Sequence, residues 1–206
     1  MNWLSRFDVS AATVYEKKIV DSYSWHRKIW ECFPDGADAK RDFLTRIDEL
    51  DGALRVWLLS KRQPVCPSWC PQDRFTAKEI APSFLSYKKY HFDLRANPTK
   101  RLAAKEEGQK LGKRVPLIKQ DDLFIWLRRK GETGGFRIAE DLPLEIGPMV
   151  QRHFRKGKHR GYHGGVQFRG TLEVVDQQQF KETYQRGIGG AKGFGFGLLL
   201  LAPIKF

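Results

Sequence analysis

The sequence predicts an α+β protein made of two tandem ferredoxin-like (RRM-like) domains, each with the element order β-α-β-β-α-β. Segments with alternating apolar residues and segments with helical periodicity occur in this order in residues 1–86, and again in residues 87–206. Hydrophobic residues make up 41% of the 206-residue chain, which is enough for a packed core. We therefore expect a domain boundary near residue 86.

In the first half, alternation predicts the strands, and glycine or proline clusters end the elements. Asp51-Gly52 is a hairpin signal between two apolar segments. Three prolines predict a loop over residues 61–72. The predicted elements, in order, are strand 2–9, helix 16–33, strands 41–49 and 53–60, helix 74–80 and a short strand at 84–85.

In the second half the same order returns with a charged insertion at residues 98–115. Acidic residues begin the helix at Asp121 and basic residues end it near Lys130, as the helix dipole favours. Asp176 is an N-cap and Gly187 a C-cap for the last helix. The predicted elements are strand 87–96, helix 121–130, strands 149–154 and 166–175, helix 176–184 and strand 192–204.

The charge balance indicates a polyanionic partner. Lysine and arginine number 37 against 24 acidic residues, a formal net charge of +13. We find no basic amphipathic helix, lipidation signal or secretory leader, so we expect no membrane partner and a cytoplasmic location. A nucleic acid is the partner that this composition favours.

The cysteines and histidines give weak metal signals. Cys66 and Cys70 have a spacing that zinc can tolerate, but a second ligand pair is missing, and Cys32 lies in a predicted helix. None of the five histidines forms a recognised zinc pattern. We therefore expect no metal and no cofactor, and keep a zinc-stabilised nucleic-acid module as an alternative.

The helix that contains His26 is the candidate for chemistry. Tyr23 and His26 are three residues apart and thus neighbours on the helix surface, with Arg27 beside them. Histidine can transfer protons near neutral pH, and arginine can bind a phosphate oxygen. A half-buried, purely structural histidine is the alternative, and the helix alone favours it.

Two segments and several single cations predict RNA contacts. The strongest is the turn with Arg155, Lys156, Lys158 and Arg160, because four cations of one sign can follow a phosphate backbone. The second is a glycine-rich loop, residues 187–197, whose glycines allow close backbone approach and whose lysine can meet phosphate. The weaker candidates are single cations, namely Lys192 in that loop, Arg128, Arg129 and Lys100.

The chain resembles the CasE family, the CRISPR repeat-processing endoribonucleases of the type I-E Cascade complex. The resemblance covers nearly the whole chain, and the segment 94–101 together with the glycine-rich loop makes it specific. The motifs that carry it are Tyr23-Ser24-Trp25-His26, Trp30 with Phe33-Pro34, Leu94-Arg95-Ala96-Asn97-Pro98-Thr99-Lys100-Arg101, Gly112-Lys113-Arg114, Trp126-Leu127 through Gly135-Phe136, residues 164–172 and the loop with its Gly-Leu-Leu-Leu-Leu tail.

This resemblance implies two ferredoxin-like domains and cleavage of a CRISPR repeat at the 3′ base of its stem-loop. It also implies metal-independent chemistry that leaves a 2′,3′-cyclic phosphate and a 5′-hydroxyl, with the product RNA retained in Cascade. The catalytic residues fall on His26 and Tyr23, and either could act as base or as acid. A non-catalytic RNA-hairpin-binding subunit remains the alternative function.

Overall fold

The computed structural model describes residues 2–34, 41–103, 112–156 and 159–205, and these form a mixed α/β fold with antiparallel sheets. The elements of the first half are β1 (Trp3–Ser10), α1 (Ala11–Glu16), α2 (Ser22–Ile29), β2 (Phe43–Leu50), β3 (Ala53–Ser60) and β4 (Phe75–Glu79). The elements of the second half are β5 (Lys89–Ala96), β6 (Thr99–Arg101), β7 (Arg114–Pro116), α3 (Gln120–Glu132), β8 (Phe136–Ile138), β9 (Glu145–Ile146), β10 (Val150–Lys156), β11 (His159–Val174), α4 (Gln177–Arg186) and β12 (Leu199–Pro203).

The two main sheets have the same strand order. The first sheet runs β2-β3-β1-β4, and the second runs β10-β11-β5-β12. Counting only the four strands on each of these paths in chain order, both orders are second, third, first, fourth, with every neighbouring pair antiparallel. Short strands β8 and β9 add to β11, and β6 pairs with β7 in a separate two-stranded ribbon. The charged insertion thus begins and ends in paired strands, and its residues 104–111 lie outside the described residues.

Three expectations for the first half are wrong. The chain over 16–33 is not one helix, because Asp21 and Ser24 form a capping box that starts α2 at Ser22. Residues 75–79 form β4 and not a helix, since Phe75 and Ala77 alternate with exposed residues and pair with Phe7 and Ser5. The segment Pro82–Leu85 is a 3₁₀ turn and not a strand.

In the second half the helices agree with expectation, and the last strand does not. Asp176 caps α4 by accepting the Gln179 N–H, and Gly187 ends it. The segment Lys192–Phe194 is a 3₁₀ turn, and Gly195 and Gly197 both have φ of 85°, which interrupts extended backbone. The strand therefore begins only at Leu199.

Two hydrophobic clusters form the core. One lies in the first half around Phe7, Trp25 and Val56. The other lies in the second half around Tyr90 and Phe168, and it also takes in side chains from the first half, namely Leu44, Leu59 and Leu85. The second cluster thus joins the two halves through apolar contact.

A polar network also joins the two sheets. The buried Arg46 of β2 donates to Asp93 of β5 with an Nη1–Oδ1 distance of 2.6 Å, and to Asp48 at 2.9 Å. Arg95 of β5 donates to Asp48 at 2.8 Å and to the carbonyl of Ile47 at 2.6 Å. This network fixes β2, which lies beside α2, relative to the second half.

Candidate active site and nucleic-acid interface

Helix α2 presents its candidate residues because its other face is anchored. Trp25 and Ile29 are buried in the first-half cluster, and the Trp25 ring lies 6.4 Å from the Trp69 ring. Tyr23 and His26 are half-buried, and Arg27 is exposed, with its guanidinium 5.9 Å from the Tyr23 ring centre. The three predicted residues therefore share the accessible side of one short helix.

The His26 imidazole lies in an aromatic setting. The Trp30 indole N–H donates to His26 Nε2 at 3.2 Å, and the Phe43 ring centre is 6.0 Å from the imidazole centre. Burial lowers the pKa of His26, and the positive charge of Arg41 lowers it further. Both effects favour the neutral imidazole over the charged form.

The glycine-rich loop brings a cation from the second half to this helix. Its 3₁₀ turn Lys192–Phe194 packs against both α2 and β2. The Phe194 ring lies 4.6 Å from the His163 ring of β11, so the loop is also held by its own half. Burial lowers the pKa of Lys192, followed by the nearby charges of Arg186, Arg41 and Lys130.

Arg41 is a site residue that sequence reasoning missed. Its positive charge lowers the pKa of both His26 and Lys192, so it lies near both α2 and the loop. Its Nη1 donates to the Phe43 carbonyl at 3.1 Å, which holds the side chain beside β2. No motif marks it in the sequence, because its importance comes only from where β2 begins.

A basic groove of about 460 Å³ lies along the second half, next to the loop. Its lining includes two predicted cations, Lys100 and Arg129, and part of the predicted glycine-rich loop, together with residues that sequence reasoning did not single out as RNA contacts. The lining consists of Asn97, Thr99, Lys100, Arg101, Arg114, Trp126, Arg129, Lys130, Gly189 and Gly190. Burial lowers the pKa of Lys130, and the charges of Arg129, Arg186 and Arg114 add to the effect. An anion in the groove would relieve this repulsion.

Of the two adjacent candidates Arg128 and Arg129, only Arg129 lines the groove. Arg129 lines it, as does Lys100, whose Nζ is 3.9 Å from Asp122. Arg128 points elsewhere on α3, with its guanidinium 5.9 Å from the Phe124 ring centre, and it lines a different depression. The structure thus brings Lys100 and Arg129 together and leaves Arg128 apart.

Most of the predicted basic turn is strand: β10 extends to Lys156, and β11 begins at His159 and not at residue 166 as expected. Arg155 pairs with Arg160 and Lys156 with His159 across β10 and β11, so these residues belong to strands. Lys158 lies outside the described residues. Strand β10 also packs against α2, which joins this hairpin to the helix that carries His26.

The three cysteines lie in the first half as free thiols. Burial raises the pKa of Cys32 and of Cys70 to about 12 in each case. Within the described ranges, no three or more histidine, cysteine or acidic side chains are grouped so that they could hold a metal ion. The zinc module thus has no ligand set among these residues.

Comparison with known proteins assigns the family. The profile of a family described as CRISPR associated protein matches residues 2–203. The chain belongs to this family. Its relatives include the CRISPR-associated endoribonuclease Cse3 of Thermus thermophilus, which is 32% identical over 98% of this chain and 100% of the relative. The CRISPR system Cascade subunit CasE of Escherichia coli is also 32% identical, over 89% of this chain and 93% of that protein.

Solved structures of the family have the same fold. The CRISPR endoribonuclease Cse3 bound to a 19-nucleotide RNA matches with a TM-score of 0.78 and 29% identity, over 98% of this chain and 99% of that one. Cas6e from Escherichia coli matches with a TM-score of 0.71 and 28% identity, over 99% of this chain and 100% of that chain. The resemblance expected from the sequence motifs is thereby confirmed.

Across the parts of the chain that the structure describes, every helix is too short or too polar to cross a membrane.

Proposed function

We propose that this protein is a CRISPR-associated endoribonuclease that cleaves precursor RNA at the 3′ base of a repeat stem-loop. The observation that carries the proposal is the meeting of a neutral His26 with Arg41 and the loop that holds Lys192. A proton-transfer group beside clustered cations suits transesterification at a phosphodiester. The relatives named for endoribonuclease activity align with nearly the whole chain.

In this reaction the 2′-oxygen of the nucleotide before the cut attacks phosphorus, and the bond from phosphorus to the 5′-oxygen breaks. One group removes the 2′-hydroxyl proton, and another gives a proton to the departing 5′-oxygen. His26 and Tyr23 supply these transfers, and Arg41 and Lys192 stabilise the extra negative charge on the phosphorane. The products are a 2′,3′-cyclic phosphate and a 5′-hydroxyl, and the reaction is metal-independent.

The RNA stem follows the cationic surface of the second half. The basic groove continues through Gly189 and Gly190 into the loop that reaches α2, so bound phosphates have a continuous path to His26. The hairpin with Arg155, Lys156, Lys158 and Arg160 adds a second line of positive charge, and Arg27 and Arg128 add contacts at the edges. Shape and phosphate contacts dominate such recognition, because the A-form major groove is narrow.

The proposed architecture is two ferredoxin-like domains that meet near residue 86. The shared strand order of the two sheets supports this division. We also propose that the cleaved RNA stays bound and that the protein joins other Cascade subunits, as the name of its Escherichia coli relative indicates for that protein.

The deciding experiment is cleavage of a labelled repeat hairpin in excess EDTA. Wild type should cut once at the stem base, and His26→Ala should cut about 10²- to 10⁴-fold more slowly while binding equally well. An RNA with a 2′-deoxy nucleotide before the cut should bind and remain intact. Tight binding without any cutting by wild type would instead support the non-catalytic hairpin-binding subunit.

A further inference from the structure

We propose that Trp30 is a positioning residue for His26: its indole N–H holds Nε2 as an acceptor and so fixes the imidazole as the neutral tautomer protonated at Nδ1. The inference deepens the proposed function, since it concerns the residue on which that function rests. Its geometric basis is the 3.2 Å distance from Trp30 Nε1 to His26 Nε2. An indole nitrogen can only donate, so the imidazole nitrogen that it meets must carry a lone pair.

The indole can act in this way because it is itself held firmly. The rings of Trp30 and Phe43 are 5.0 Å apart in an edge-to-face arrangement. On another side the Arg62 guanidinium lies 6.0 Å from the Trp30 ring and 4.6 Å from the Phe33 ring. Arg62 is fixed in turn by two hydrogen bonds of 2.8 Å to Asp42. Trp30 therefore has little freedom to turn its N–H elsewhere.

Trp30 also lies four residues after His26, where α2 passes into the 3₁₀ turn Trp30–Cys32. Residues four apart in a helix lie one above the other, so the side chains meet without distortion. The His26 and Trp30 rings are at 81° to each other with centres 6.2 Å apart, which directs the indole edge toward the imidazole. The contact is thus a product of helical spacing and of the packing around Trp30.

The consequence concerns proton uptake. A proton can reach Nε2 only if the indole hydrogen bond is given up, so the contact favours the neutral imidazole. Among the described residues, charged or titratable groups on or beside the elements that pack against α2 include Tyr23 on α2 itself, Arg41 before β2, Arg62 beside Trp30, Lys192 in the loop, and Arg152 and His153 on β10. Of these, Arg41 lowers the pKa of His26 through its charge, and a change at Trp30 leaves that charge in place.

The test compares Trp30→Phe with wild type, using ¹⁵N-histidine NMR of the RNA-free protein. Phenylalanine keeps an aromatic ring against Phe43 and lacks the donor; its smaller ring is controlled for by the matched variant below. Wild type should show His26 protonated at Nδ1, and Trp30→Phe should lose this preference and raise the pKa of His26 by about half to one unit. Single-turnover cleavage should show the same upward shift in whichever limb of its pH profile reports His26.

Trp25→Phe is the matched control, because Trp25 lies on the same helix and its ring contacts Trp69. This variant should leave the tautomer and the pKa of His26 as in wild type. An unchanged tautomer and pKa in Trp30→Phe, or equal shifts in both variants, would overturn the proposal. The NMR result does not require cleavage, so failure of the proposed function and failure of the positioning role can be told apart.

Discussion

The two halves of the molecule have one strand order and very different coverings. In the second half α3 and α4 both belong to the repeated pattern, and the hydrophobic cluster is extensive. In the first half the second helix of that pattern is absent, and a proline-rich segment leads to the five-residue strand β4 instead. The same sheet topology therefore tolerates the loss of a helix when other groups cover the sheet, here Trp69 and Cys70.

The halves also treat their functional groups differently. Around His26 the aromatic side chains remove water, so burial is the main cause of its lowered pKa. Along the second half cations gather, and their repulsion adds to burial in lowering the pKa of Lys130. The first half thus contains the candidate proton-transfer group, and the second half carries a surface whose positive charge a polyanion would neutralise.

Loss of the contact between the halves should have the largest effect on stability. Arg46→Ala removes a buried cation and leaves Asp48 and Asp93 with one partner fewer, so unfolding should become easier by about 3 kcal/mol. Arg55→Ala is the control, since its bidentate pair with Asp8 is half-exposed and should contribute about 1 kcal/mol or less. Urea unfolding measures both, and equal losses would contradict a dominant role for the interface.

A substitution in the glycine-rich loop, which packs on the first half, should have the next largest effect. Gly187 has φ of 75°, and a Cβ there would come within 2.7 Å of Leu44 Cδ1. Gly187→Ala should cost about 1–3 kcal/mol and slow cleavage by displacing Lys192. Gly147→Ala, whose new Cβ would make an ordinary contact with Gln167 at 3.5 Å, should change neither. Thermal unfolding and single-turnover cleavage of the two variants make the comparison.

The groove should show a smaller effect that separates two adjacent arginines. Arg129→Ala removes one cation from the groove, so the slope of log affinity against log salt should fall by about 0.7 to 0.9. Arg128→Ala should lower the slope by a smaller amount, because this side chain lies against Phe124 outside the groove. Filter binding of the repeat hairpin over a salt series gives both slopes. If the two variants lose the same slope, the groove is not the specific path of the RNA.

Acid should weaken the contact between the halves by the smallest amount. Burial of Asp93 opposes its ionisation, but hydrogen bonds and charge from Arg46 and Arg169 outweigh burial and lower its pKa. The unfolded chain binds this proton first, so stability holds above about pH 4 and falls as pH drops through the folded pKa. Unfolding midpoints at pH 5 and pH 3 should differ less for Asp93→Asn than for wild type.

Most of the strands and the presence of a helix at His26 could be predicted from the sequence, because apolar alternation and helical spacing are local signals. It misled at β4, where alanine, lysine and glutamate favour a helix and only pairing with β1 makes a strand. It could not reveal Arg41 or Arg46, since their partners are distant in the chain: Asp93 follows Arg46 by 47 residues. A site whose residues come from both halves of the chain can be recognised only once the fold is known.

The glycine-rich loop has a consequence for the order in which the site is made. Synthesis from the N-terminus produces α2 and β2 more than 130 residues before the loop that packs on them. A growing chain can therefore form the pocket around His26 before it has Lys192, and contacts of such long sequence separation form slowly. Lys192 therefore reaches α2 late in biogenesis, well after Arg41, so a partly synthesised chain has the histidine without the lysine.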